Sequence, residues 1–265
     1  MEKLSKSKLT SVLKSKISAE FDKLKNNEKK IAQEKYLKNK IQFMGLSNPQ
    51  VKQIFSNIRT NQEYKMLDFN EKYYLALYYL QNKHMEEKII SMHILNNIHK
   101  MLDKDNINEI REIVKKGFVQ EWASCDGLCS NVFKPWSSIS KENTIHLANF
   151  MYEKDNIWIR RMSCVSFITR VKKGDENFKG FTNLMFDICK ENIKYPYRFN
   201  QLGTGWFLRE LSLVNYDKFY NFIIDNFEYF IREGLRYSVE KLDETKKKKI
   251  LCFRKDNLGK ISKII

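Results

Sequence analysis

Apolar side chains recur every three to four residues through most of this chain, the period of a helix that buries one face. In residues 70–82, Tyr73, Leu77 and Leu80 form one stripe, with Tyr74 and Tyr78 beside it. In residues 86–100 the stripe is Ile89, Met92, Leu95 and Ile98. The same reading predicts helices near 28–40, 48–59, 106–116, 119–133, 140–152, 156–172, 178–193, 199–213, 216–226, 228–241 and 243–251, and no strand. Asn70 and Asn156 are expected to cap helix N-termini, because a short polar side chain there accepts from otherwise unpaired backbone N–H groups. Pro49 fits a first turn, and Pro135 and Pro196 are expected in loops. The fold class expected is all-α.

A dozen helices with short connections can form a bundle or a solenoid. Internal similarity favours a HEAT-like helical-repeat solenoid. Trp122 with Asp126, Trp158 with Arg161, and Trp206 with Arg209 each put an aromatic one helical turn before a charge. Stacked repeats present equivalent faces on one surface, here expected to be concave and to bind DNA. The chain is expected to be one repeat domain over 1–265, with Lys-rich ends at 1–40 and 246–265. Taken one at a time, such pairs also suit a core indole covered by the aliphatic stem of an arginine.

Composition narrows the function. Only 9 Gly and 3 Pro occur, too few for a turn-rich β fold. No apolar run is long enough to span a membrane, and the N-terminus has no secretory apolar segment. Five cysteines and four histidines show no metal-ligand spacing, so no metal or cofactor is expected, and the thiols read as reduced in a cytoplasmic protein. The net charge of +16 points to an acidic partner such as nucleic acid. That charge is concentrated at the ends: residues 1–40 carry 12 basic and 5 acidic side chains, and residues 246–265 carry 8 and 1.

Five segments in order resemble the AlkD family of DNA alkylation repair glycosylases, from about residue 30 to 242. They are Tyr36-Leu37-Lys38-Asn39 with Phe43-Met44-Gly45-Leu46 and Pro49; Trp122 to Asp126; Trp158 to Arg161; Gly205-Trp206 to Arg209-Glu210; and Arg232 to Tyr237 with Glu240-Lys241. Two positions depart from that pattern: Glu121 stands where relatives often carry a second Trp, and Leu202 where some carry Lys.

The resemblance implies a HEAT-like fold and excision of N3- or N7-alkylated purines from duplex DNA by a monomer. It makes Asp126 the catalytic carboxylate, with Trp122 and Trp206 beside the lesion. Tyr36, Lys38, Trp158, Arg161 and Arg209 become DNA-contacting residues. It also implies that the base stays stacked while it is cleaved, rather than flipping as most base-processing enzymes require.

On residue type and spacing alone, Asp126 reads first as a structural carboxylate paired to a neighbouring Arg such as Arg161; the resemblance turns the reading to catalysis. Two other functions are compatible with the sequence: a non-catalytic DNA-binding repeat protein and a protein–protein scaffold. The nucleic-acid reading predicts that affinity for undamaged duplex falls steeply as salt rises, because neutralised phosphates release counterions. A titration that stays flat between low and physiological salt contradicts it.

Overall fold

The computed structural model describes residues 2–261, with side chains from 8 to 253. It contains sixteen α-helices and no β-strand among the described residues. The helices fall into two compact units, residues 1–139 and 140–265. The side chains of residues 1–7 and 254–265, parts of the two Lys-rich ends, lie outside the described residues.

The first unit holds α1 (Glu2–Leu24), α2 (Asn27–Tyr36), α3 (Asn48–Thr60), α4 (Gln62–Met66), α5 (Phe69–Leu80), α6 (Met85–Ile98), α7 (Lys104–Ile113), α8 (Trp122–Leu128) and α9 (Lys134–Ser137). Helices α3, α5 and α8 all pack on α6. The predicted stripes are buried except at Ile89, which is half-buried. Tyr73, Leu77 and Leu80 face the core of α5 while Tyr74 and Tyr78 stay exposed, and Met92, Leu95 and Ile98 are buried on α6.

Two local expectations fail for identifiable reasons. The cap of α5 is Asp68, not Asn70. Asp68 Oδ1 accepts from Glu71 N at 2.9 Å while Glu71 Oε2 accepts from Asp68 N at 2.8 Å, a reciprocal box that satisfies two end donors at once. Pro135 lies not in a loop but in the first turn of α9. A wider π-helical turn, Cys129–Phe133, precedes it. That turn absorbs the hydrogen bond a proline cannot donate.

The segment between α2 and α3 is irregular, and its backbone is satisfied partly by side chains and partly by backbone groups of neighbouring segments. Glu86, buried on α6, accepts from three consecutive N–H groups: Met44 at 3.0 Å, Gly45 at 2.9 Å and Leu46 at 3.0 Å. Phe43 N donates to Glu34 Oε1, Gln33 Nε2 donates to the Leu46 carbonyl, and Met85 N donates to the Gln42 carbonyl. Gly45 has φ +92°, and a Cβ there would lie 1.9 Å from the Asn26 carbonyl oxygen, so only glycine permits this approach. The Phe43-Met44-Gly45-Leu46 motif is therefore a clamp between α2 and α6.

The second unit holds α10 (Lys141–Ala148), α11 (Ile157–Val165), α12 (Phe181–Ile193), α13 (Arg198–Leu211), α14 (Tyr216–Asp225), α15 (Arg232–Ser238) and α16 (Glu244–Ile261). Helix α13 packs on α11 and α15. Asn156 caps α11 as expected, accepting from Trp158 N and Ile159 N. A Cβ on Gly205 would sit 2.6 Å from the Gly234 carbonyl, so this glycine sets the close contact of α13 with α15. Helix α12 begins at Phe181, later than its apolar pattern, because Gly180 before it adopts φ +89°.

Removing the Glu86 carboxylate orphans three backbone donors at once, each costing about 1–3 kcal/mol when buried. Glu86→Ala is expected to lower unfolding free energy by about 3–5 kcal/mol in urea titration. Glu86→Gln, which keeps one acceptor oxygen, is expected to lose less. Equal small losses in both variants contradict the clamp.

Candidate active site

Trp122 and Asp126 lie on α8, one turn apart, and both are half-buried. The helix starts where it does because Glu121 caps it: Oε2 accepts from Ala123 N at 2.5 Å and Oε1 from Ser124 N at 2.8 Å. A carboxylate is favoured there by the partial positive charge of a helix N-terminus. Burial nevertheless pushes the Glu121 carboxyl upward, outweighing those hydrogen bonds, and the Asp126 charge raises it further.

The Trp122 indole rests on the cluster Leu37, Ile41, Phe43 and Met85, so its orientation depends on the clamped segment. Its outer side meets Tyr36, which is 73% exposed, edge to face with centroids 5.9 Å apart. Lys38 follows at the end of α2 in the left-handed region, φ +53°, with its side chain exposed. The structure thus brings together the Tyr36 and Trp122 that the motifs nominated. Behind Asp126, a Cβ on Gly127 would come within 2.8 Å of Met92 Sδ, so α8 lies close against α6. Cys125 and Cys129 are fully buried on the same helix stretch.

The second unit carries the other candidates. Trp158 is largely buried against Phe199, centroids 5.3 Å apart. Arg161 is buried too, and its Nη1 donates to the Phe199 carbonyl at 2.8 Å. Trp206 is half-buried on α13. Arg209 is engaged by Glu210 at 3.3 Å, by Glu240, and by the Tyr237 ring, whose centroid lies 4.7 Å from the guanidinium carbon. Lys241 joins this network through Glu210 at 2.7 Å.

The three tryptophans do not occupy equivalent helix positions. Trp122 and Trp158 stand in the first turns of α8 and α11, just after the capping residues, whereas Trp206 stands in the third turn of α13. Trp158 and Arg161 are both buried, as core residues are, and Trp122 and Trp206 are the two tryptophans of the motifs with partly open faces. Among the described residues no group of three or more His, Cys, Asp or Glu side chains is placed to hold a metal ion. No helix of the described residues is long and apolar enough to cross a membrane.

The sequence reading passed over Glu121 as a cap and Lys88 altogether. Lys88 is buried on α6 and donates to the Leu80 carbonyl, at the C-terminus of α5, at 2.7 Å. The only signal available was a charged residue amid the apolar face of residues 85–98, which predicts a core lysine poorly.

An all-helical repeat architecture with aromatic and carboxylate side chains on short capped helices defines the class. The structure is similar to a predicted DNA alkylation repair enzyme from Enterococcus faecalis, with a TM-score of 0.71 and 16% identity, over 83% of this chain and 98% of that one. At that identity the likeness concerns the fold. The model of the family described as DNA alkylation repair enzyme matches residues 17–242. The chain belongs to that family, whose role is the repair of alkylation-damaged DNA. No significant match occurs among curated proteins.

Burial lowers the Lys88 ammonium from 10.5 to about 8 despite the nearby Glu121 and Glu87 charges. Between those values the unfolded chain holds a proton that the folded chain has released, so this lysine's penalty shrinks as pH rises. The stability advantage of Lys88→Met over wild type is expected to be constant below about pH 8 and to fall by about 3 kcal/mol towards pH 10.5. Parallel denaturation at pH 7 and pH 10 checks this, and a difference that does not change with pH contradicts it.

Proposed function

We propose that this protein is a DNA glycosylase that hydrolyses the N-glycosidic bond of cationic N3- or N7-alkylated purines in duplex DNA, acting as a monomer. One observation carries the reading in a chain of the alkylation-repair family. Trp122, in contact with an exposed Tyr36, and a half-buried Asp126 lie one turn apart on a single helix fixed by its cap and by the clamped segment beneath.

The chemistry asks for little more. An alkylated purine already carries a positive charge and departs neutral, so the leaving group needs no general acid, unlike the second carboxylate of an ordinary glycosidase. The developing oxocarbenium sugar needs a negative charge and a placed water, and the Asp126 carboxylate supplies the first and orients the second. The electron-rich face of Trp122 attracts cationic groups by about 0.5–2 kcal/mol. It favours the charged base before cleavage and the charged sugar during it.

The cations take different parts. Lys38 is exposed beside Tyr36 and suits a phosphate contact, which positions the duplex without reading sequence. The Arg209 guanidinium is held by Glu210 and Glu240 and has further N–H donors to offer a phosphate. Arg161 acts through the packing of Trp158 and Phe199, since its own guanidinium is buried.

Asp126→Asn keeps the size of the side chain and removes its charge. A charge that matters chiefly as the sugar becomes cationic contributes to the transition state more than to binding. The variant is expected to release methylated purine about 10²–10³-fold more slowly in single turnover, with thermal midpoint and DNA affinity near wild type. An unstable variant, or one that excises at the wild-type rate, removes Asp126 from the mechanism.

A further inference from the structure

The first unit contains a cavity of about 360 Å³ that the glycosylase reading does not use. Its walls come from three places in the chain: residues 39–42 after α2, the α5–α6 turn at 81–83, and the stretch from Gly117 to Ser124 leading into α8. The buried Lys88 lines it. One of the three N–H donors of that ammonium goes to the Leu80 carbonyl, and Leu80 directly precedes the 81–83 wall. Among the described residues neither Asp nor Glu pairs with Lys88 at ion-pair distance: Glu121 spends both carboxylate oxygens on the N-terminus of α8, and Glu87 is bound to His84 and Asn82.

The rim adds two exposed lysines, Lys40 and Lys83, together with Gln120 and with Gln81 and Asn82, whose amides already donate to the Leu77 carbonyl and to Glu87. The lining therefore carries three lysines against one carboxylate. The Gln120 amide takes the space above Gly117, where a Cβ would lie 2.4 Å from Nε2, and Gly117 has φ +87°. The wall is thus shaped by a glycine that no other residue replaces without moving that amide.

A buried ammonium costs free energy unless a partner of opposite charge and several acceptors meets it. The size of the cavity excludes a stretch of duplex but admits a terminal group or a small molecule. Three lysines around one cavity, one of them buried with donors to spare, suit the several oxygens of a tetrahedral dianion. We propose that this cavity binds a phosphate monoester, with Lys88 as its floor and Lys40 and Lys83 at its mouth. The same chemistry comes from two sources: a free nucleoside monophosphate, or the terminal phosphate of a nucleic-acid strand.

The test uses the full chain and calorimetric titration with inorganic phosphate, deoxyadenosine 5′-monophosphate and deoxyadenosine. Saturable binding of phosphate and the monophosphate, absent for deoxyadenosine and at least tenfold weaker in Lys88→Met, is the expected result. No saturable binding, equal binding of the unphosphorylated nucleoside, or unchanged affinity in Lys88→Met overturns it. Should Lys88→Met fail to fold, Lys40→Ala combined with Lys83→Ala takes its place, since both side chains are exposed. A severalfold loss then supports the site and no loss refutes it. Duplexes with 5′-phosphate and 5′-hydroxyl ends separate the sources. A gain from the phosphate that vanishes in the variant assigns a strand end. Equal duplex affinity alongside monophosphate binding assigns the free nucleotide.

Discussion

Much of the first unit hangs on one buried carboxylate. Glu86 projects from α6 into the irregular segment between α2 and α3 and accepts from the N–H groups of Met44, Gly45 and Leu46. An irregular segment packed between helices has only a single bridge, Gln42 to His84, so its remaining buried donors must be met by side chains. With Glu86 in place, Phe43 and Ile41 join Leu37 and Met85 in the cluster that supports Trp122. Gly45 permits the close approach to Asn26, and Pro49 starts α3 just beyond. The position of the candidate indole is therefore a consequence of a hydrogen-bonded carboxylate two helices away in sequence.

The electrostatics around α8 follow the same logic. Three charged side chains, Glu121, Asp126 and Lys88, are buried or half-buried near one another, each with a different task. Glu121 caps the N-terminus of α8, Lys88 donates to the carbonyl end of α5, and burial holds both away from their usual titration ranges despite those bonds. Asp126 keeps a partly open surface. A negative charge fixed on a short, capped helix costs no reorganisation when positive charge develops near it, which is the condition under which one carboxylate is enough.

The parts of this fold that were legible in the sequence are those set by local periodicity. The Tyr73, Leu77 and Leu80 stripe of α5, the Asn156 cap and the Pro49 start need only neighbours in the chain to be read. Asp68 took the capping role from Asn70 because its partner Glu71 makes a reciprocal box, a signal present in the sequence but two residues earlier. Pro135 misled because a wide helical turn before it accommodates the missing donor. The motifs nominated Tyr36, Trp122 and Asp126, whereas the contact of Tyr36 with Trp122 is seen only in the structure. The fates of Arg161 and Lys88 were illegible, since whether a long cation is buried depends on distant segments: Phe199 for one, Leu80 for the other.

The central claim is that cleavage relies on the charge of the lesion itself and on a carboxylate, with no proton donated to the departing base. Single-turnover excision from two otherwise identical duplexes tests it most directly, one carrying 7-methylguanine and one carrying the uncharged isostere 7-methyl-7-deazaguanine. The account predicts release of the cationic base and no measurable release of the neutral one, although both occupy the same space. Comparable release of both bases, or release of neither, contradicts it.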